Sequence, residues 1–443
     1  MRFLTLLFVP AIIGAQEPLT RIVDTTARPI TLDEAVRLAQ LNAPQAVQAR
    51  GQMRTTSASV RSSLGAFMPN LNLSMGAGWS GGQGDRVNNQ GDVISGGAWN
   101  YSNGLSMGMT LFDGGRTWYN LSSARATAEA AEVGEIQTRY NVALAVKQQY
   151  FAVLAARDQL AAAHTTLEQA EQQFRTAKAR VEAGSAIISD TLRALIQIGN
   201  GQLAVLQAEH ALRNSNAALT RTVAAPAPVT ALPDTTIEWV DLTAANLDID
   251  ELSRRAPAVQ TAQANLASAR AGARASRSPY LPTLSLSFGR SGSGIDRQYG
   301  WGPDTTASGN PTYNYRTNLS FSASYPLFDR FNRERTAIAA RVEQENAEVA
   351  LRDAEFRARQ EFVSYTGLLQ TAEAQIRINE ISVAAAEEDL RVQQLRYELG
   401  SSTLLDVLTS QTQLTNARSA LIRARFDYRV AKAQLEALLA REL

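Results

Sequence analysis

The chain has 443 residues, and its 43 Lys and Arg against 42 Asp and Glu leave a net charge of +1, so it offers no global basic surface for nucleic acid. It has no cysteine and only two histidines, His164 and His210, which excludes disulfide scaffolds, thiolate chemistry and a lipid-bearing N-terminal cysteine, and leaves little material for histidine-based catalysis or metal binding. Hydrophobic residues make up 45% of the chain but aromatics only 7%, so alanine and leucine supply much of the burial, as in long, closely packed helices.

The chain opens with Arg2, an apolar run from Phe3 to Ile13 and the small pair Gly14-Ala15. This reads as a signal peptide over residues 1–15, cleaved after Ala15, and therefore as export. No later apolar stretch reaches about eighteen residues, so entry into a membrane would have to be as a closed β-barrel.

Thr31-Leu32-Asp33-Glu34-Ala35 opens a helix, with Thr31 as N-cap and Glu34 at the capping-box position, and the pattern carries on to the mid-60s. The period then changes to two. Leu71, Leu73, Met75, Ala77 and Trp79 alternate with Asn70, Asn72, Ser74, Gly76 and Gly78, a strand over about 70–79. A second strand over about 99–111 places Trp99, Tyr101, Leu105, Met107, Met109 and Leu111 on one face, after a Gly-, Asn- and Ser-rich loop at 81–97. One face is apolar and the other wet, which would be core and solvent in a soluble sandwich and lipid and lumen in a membrane barrel. The aromatics gather toward the loop ends as interface girdles do.

Helical periodicity returns from about 115 to 181 with no proline, a length on the order of 100 Å. Tyr140, Leu144, Lys147, Phe151 and Leu154 mark a narrow apolar stripe suited to coiled-coil packing. Gly184 ends this helix, Ser185 is placed to cap a returning helix over 185–221, and Pro226, Pro228 and Pro233 mark a linker over 222–250 in which Ile237-Glu238-Trp239 could form a short strand.

The rest of the chain repeats the first half. Pro257 lies 213 residues after Pro44, and Tyr280-Leu281-Pro282 stands at the same offset from Phe67-Met68-Pro69. Leu327-Phe328-Asp329 matches Leu111-Phe112-Asp113 at 216, as does Tyr397-Glu398-Leu399-Gly400-Ser401 with Val181-Glu182-Ala183-Gly184-Ser185. Register held at four landmarks is a duplicated structural half, with repeats over 31–221 and 251–440. The second contains strands at about 283–290 and 313–327, a loop at 289–311, and long helices at about 329–398 and 401–439, the last capped by Ser401.

Thr31-Leu32-Asp33-Glu34-Ala35, the strand entries at Met68-Pro69 and Leu281-Pro282, Leu111-Phe112-Asp113-Gly114-Gly115-Arg116 and the two Gly-Ser turns with their following aspartates together resemble the TolC-type outer-membrane efflux family, from about Thr31 to Leu439. The resemblance implies an α+β membrane protein of duplicated helix-strand-strand-helix-helix halves. It implies a homotrimer in which each protomer gives four strands to one twelve-stranded barrel in the outer membrane, continued by a periplasmic helical barrel that meets an adaptor protein and an inner-membrane pump or exporter. It implies no catalytic site, cofactor or metal. Four strands are also too few to close a barrel alone.

Function would then reside in a pore. Asp190 and Asp406 stand at equivalent places just beyond the helical turns. Three-fold symmetry would make each a ring of three carboxylates that attracts cations, although acids near helix starts also support turns and helix N-termini. The resemblance favours the ring, above all at Asp406. In that family polar bonds between helical hairpins close the periplasmic end, and Tyr397 and Asp190 fall where such a bond would form; Tyr397 also suits plain interhelical packing. Ser402 stands where the best-known members carry a basic residue and Thr409 where they carry a second acid, which implies weaker closure and weaker cation selectivity.

Other candidates give no chemistry. His164 and His210 lie on separate polar helix faces, Met75, Met107 and Met109 follow strand alternation, and the Gly-rich segments lack the Gly-Lys-Ser/Thr of a phosphate loop. The competing reading is a secreted coiled-coil structural or adhesive protein, which leaves the apolar strand faces unexplained.

Overall fold

The structure, a computed structural model, describes residues 27–81, 86–87, 93–94, 97–233, 239, 254–296 and 312–441. The expected leader and the first two residues of the short strand expected at Ile237–Trp239 lie outside these residues. The first half contains β1 (Arg28–Ile30), α1 (Leu32–Asn42), α2 (Pro44–Gly65), β2 (Asn70–Gly81), β3 (Arg86–Val87), β4 (Val93–Ile94), β5 (Gly97–Phe112), α3 (Arg116–Glu182) and α4 (Ile188–Val223). The strand β6 (Val229–Ala231) follows inside the expected linker, and the second half contains α5 (Pro257–Ala275), β7 (Thr283–Asp296), β8 (Thr312–Ser324), α6 (Asn332–Glu398) and α7 (Leu404–Leu439).

The Thr31 hydroxyl accepts from the Glu34 N–H at 3.2 Å, but the Glu34 carboxylate pairs with Arg28 at 3.0 Å, so only half of the expected capping box is made. The single helix expected from Thr31 into the mid-60s is two helices. Ala43 is extended, as a residue before proline prefers, and Pro44 starts α2 where no N–H is required.

Four long strands form one antiparallel sheet in the order β2-β5-β7-β8. Leu71, Met107, Phe288 and Leu319 lie in one cross-strand row, and Asn72, Ser106, Gly289 and Asn318 in the next. The alternation therefore adds up to one face that is apolar save for Asn103, Arg290 and Thr317 and one of mostly Asn, Ser and Gly, with hydroxyl pairs Ser285–Ser322 at 2.8 Å and Ser287–Ser320 at 2.6 Å on the latter. Leu71 to Trp79 alone runs about 26 Å along its strand, roughly 20 Å when tilted as in a membrane barrel.

The strand ends correct three expectations. The strand β7 runs past 290 to Asp296, because Ser291–Asp296 finds a full ladder on β5. The strand β8 stops at Ser324 rather than 327, because Pro326 cannot join the ladder. Within the loop expected at 81–97, β3 and β4 pair as a small ribbon.

The helices α3 and α6 each have 67 residues, about 100 Å of rod. The aspartate of each Leu-Phe-Asp motif seats them: Asp113, buried, accepts the Thr117 N–H at 2.9 Å, and Asp329 accepts the Arg333 N–H at 2.8 Å. At the far end Gly184 and Gly400 take φ of 74° and 76°, and the N–H groups of Ser185 and Ser401 return to the Arg180 and Arg396 carbonyls. The two serine hydroxyls bond those same carbonyls, so they finish the outgoing helices and do not cap the returning ones. Ile187 and Thr403 are the N-caps of α4 and α7, since the left-handed glycine turn needs two further residues before a helix can begin.

The buried stripe of α3 is Val142, Ala143, Val146, Tyr150, Val153 and Leu154, one step rotated from the expected stripe, so that Tyr140, Leu144, Lys147 and Phe151 flank it. Tyr150 donates to the Ile30 and Leu232 carbonyls, each at 3.2 Å, and Arg157 donates to Thr230 and Ala231, which pins the parallel β1–β6 ribbon midway along the rod.

The two repeats are packed unequally. The helix α3 lies against α4 and α7 along its lower part and against α2 and α5 along its upper part, whereas among the described residues α6 has α7 and α5 as its main neighbours. Its other flank, with Ile338, Val342, Val349, Phe356 and Val363, is exposed, and so is a stripe of Leu192, Leu195, Ile196, Leu203 and Leu206 on α4.

Candidate functional site

The helical ends remote from the sheet bring both repeats together. Ala177 of α3, Ala194 of α4, Leu390 and Tyr397 of α6, and Leu404, Val407 and Leu414 of α7 form one buried cluster there. Tyr397 is 7% exposed. The Arg180 guanidinium from the last turn of α3 lies 4.5 Å from the centre of the Tyr397 ring and donates to the Tyr397 carbonyl.

The Tyr397 hydroxyl is buried without a hydrogen-bond partner among the described residues. Burial first, and the nearby Asp190 carboxylate second, push its pKa up, while Arg180 acts in the opposite sense. Asp190 is close enough to act electrostatically on the Tyr397 hydroxyl, but the expected Tyr397–Asp190 bond is not made in this conformation. Asp190 sits in the first turn of α4, its N–H bonded to the Ile187 carbonyl at 3.0 Å.

Asp406 opens α7. Its Oδ2 accepts the Thr403 N–H at 2.9 Å, the Thr403 hydroxyl at 2.7 Å and the Ser402 hydroxyl at 3.0 Å. These donors, with Arg396 nearby, hold its carboxyl below the ordinary carboxylate range, so at neutral pH it is an exposed, ionised group fixed in place by a capping box. Ser402 thus contributes to that cap, and the Thr409 hydroxyl bonds the Leu405 carbonyl of its own helix at 2.9 Å.

Arg180 is the residue that the sequence pattern left unmarked. The duplication carries the signal, because Arg180 and Arg396 precede the two glycine turns at the repeat offset of 216. A second polar link in the same region, from the buried Ser410 hydroxyl to Asp389 at 2.5 Å, joins α7 to α6.

At the opposite end of the molecule, Trp79 and Trp99 are cross-strand partners, Trp99 stacks on Tyr101 with ring centres 6.5 Å apart, and Arg290 lies 5.6 Å from the Tyr315 ring. Arg316 is placed on the polar face, opposite Ser291. Among the described residues no group of three or more His, Cys, Asp or Glu could hold a metal, and no helix is long and apolar enough to cross a membrane.

Comparison with known proteins agrees with this architecture. The sequence profile described as "Outer membrane efflux protein" matches residues 35–225 and 249–441, one stretch for each repeat. The chain is 30% identical over 414 residues to the pyoverdine export outer membrane protein OpmQ of Pseudomonas aeruginosa, across 89% of this chain and 81% of that protein. It is 24% identical over 409 residues to the outer membrane protein TolC of Vibrio cholerae, across 91% and 89% of the two chains. The fold superposes on the crystal structure of CusC with a TM-score of 0.77 at 20% identity, covering 94% of this chain and 93% of that one. None of these matches supports the secreted structural or adhesive reading. With both repeats matched and the same fold recovered, the chain belongs to the outer membrane efflux protein family, as an outer-membrane efflux channel whose helices extend into the periplasm.

Proposed function

We propose that three copies of the chain form one exit duct: a shared twelve-stranded barrel in the outer membrane, continued by a helical barrel across the periplasm. The observation that carries this is the sheet itself. Among the described residues its outer strands, β2 with 12 residues and β8 with 13, each pair on one side only. Unpaired backbone groups in hydrocarbon cost several kcal/mol each, so a lipid-facing sheet has to close on itself.

The duplication supplies the closing geometry. By the repeat, β2 corresponds to β7 and β5 to β8, so the β5–β7 ladder within a protomer is the pattern for β8 against β2 of the next. Transposing the pair Met107–Phe288 by the two offsets sets Ala323 opposite Met75 of a neighbouring copy, and both are on the apolar face. The same logic sets the bare flank of α6 against α4 and α2 of that neighbour, which covers the exposed stripes of α4 and α6.

Energy comes from an inner-membrane pump joined through a periplasmic adaptor, and the duct supplies an aqueous path. Asp406 and Asp190 form carboxylate rings near the periplasmic end that favour cations, and Tyr397 helps to keep that end shut. Two measurements test the reading. A variant carrying Met75→Cys and Ala323→Cys, in a chain with no native cysteine, is expected to oxidise to a covalent trimer, and a monomer after oxidation in outer membranes counts against the closure. Purified protein in a planar bilayer is expected to give discrete conductance steps with cation preference, reduced in Asp406→Ala.

A further inference from the structure

We infer that Arg180 is the latch that holds the two helical hairpins together at the periplasmic end, through the ring and carbonyl of Tyr397 and not through its hydroxyl. This rests on reading those tips as the closed end of the duct. Arg180 ends α3 and Tyr397 ends α6, so the contact ties the hairpin of one repeat to that of the other. It engages the partner twice, by a guanidinium 4.5 Å from the ring centre and by an N–H bonded to the Tyr397 carbonyl. That carbonyl belongs to the negative end of a 67-residue helix, where a cation is favoured. The ring is buried against Leu404 and Val407 in the same cluster, so the arginine grips a fixed surface.

Ser402 and Thr409 bring no cation, and the Tyr397 hydroxyl has no partner to lose. The repeat shows why the latch is three-fold and not six-fold. Arg396 occupies the place of Arg180 in the second copy, but the place of Tyr397 in the first copy is held by Val181, which offers no ring. One family of hairpin contacts therefore has both halves of the latch, and the quasi-equivalent contacts between neighbouring copies lack the ring half.

The test is single-channel conductance of the full-length protein, purified in detergent, with oligomer migration on unheated gels as the folding control. Arg180→Gln, which keeps the stem and loses the charge, and Arg180→Ala are expected to raise mean conductance several-fold, and Arg180→Lys is expected to restore most of the closure. Tyr397→Ala is expected to open the duct, while Tyr397→Phe, which keeps ring and carbonyl, rescues it. Arg396→Ala is the matched charge-loss control at the repeat-equivalent place and is expected to open the duct far less than either Arg180 variant. Opening by Tyr397→Phe as large as by Tyr397→Ala would place the latch in the hydroxyl and overturn the inference. Equal opening by Arg180→Gln and Arg396→Ala would reduce it to a general charge effect and overturn it too. Steps in the wild type that the Arg180 variants leave unaltered sink the latch alone, whereas no steps in the wild type or any variant sink the channel reading with it.

Discussion

Lys147 of α3 and Glu436 of α7 form an ion pair at 2.5 Å, 289 residues apart in the chain, with side chains only 20% and 8% exposed. It fastens one repeat to the other at the level where α3 also carries the β1–β6 ribbon. Lys147→Met leaves a poorly solvated carboxylate without its nearest cation, and the expected loss is roughly 2 kcal/mol. Thermal unfolding followed by helical circular dichroism reads this directly, and adding Glu436→Gln should return part of the loss.

The capping box at Asp406 fixes a pH dependence. The folded-state pKa of Asp406 is depressed, so its contribution to stability is present above the ordinary carboxylate range and fades as pH falls through the lowered value. Amides in the first turn of α7 should lose protection, measured against the intrinsic exchange rate at each pH, below about pH 4 relative to neutrality. Asp406→Asn should show low protection at both pH values; wild-type protection that does not change in acid would remove the carboxylate from the cap.

The turns that start the two long helices differ in a testable way. In the first repeat Gly114 and Gly115 take φ of 69° and 83°; in the second the same places are Arg330 and Phe331 at 58° and 63°. A Cβ on Gly114 would approach the Ser278 carbonyl to 2.6 Å, so Gly114→Ala should cost roughly 2–3 kcal/mol. Arg330→Gly, which relieves a left-handed residue, should instead stabilise by about 0.5–1 kcal/mol. Chemical denaturation of the two variants checks both signs.

Arg316 puts positive charge on the otherwise Asn-, Ser- and Gly-lined polar face near the outer end of the sheet. In a three-fold barrel this is a ring of three guanidinium groups facing the lumen, opposite in sign to the aspartates at the far end. Arg316→Ser should shift bilayer reversal potentials further toward cations, and the shift should shrink at high salt as screening takes over.

Much of this fold could be read from the sequence because its two periods are clean. Leu71 to Trp79 alternates without a lapse, and the 216-residue offset carries the glycine turns from one repeat to the other. What escaped was set by contacts distant in sequence. The break at Pro44 could have been read locally, but the rotation of the α3 stripe is decided by where Tyr150 meets Ile30 and Leu232. At the tip Tyr397 and Asp190 were placed by their neighbours in the chain, while Arg180 acts across 217 residues, and an arginine before a glycine turn looks like any solvent-facing residue. The serines after the glycines misled for a related reason, since Ser is a common helix start and here satisfies the end of the preceding helix.

The bare edges of β2 and β8 mean that a lone protomer has no resting place in the bilayer. On the proposed three-fold closure, folding, insertion and assembly of this protein are coupled and steeply dependent on how many copies arrive together. Its helices can form early in the periplasm, but the strands must wait for company. A chain with one edge blocked would enter a nascent ring and stop it from closing, so a minority of such chains would poison the whole population.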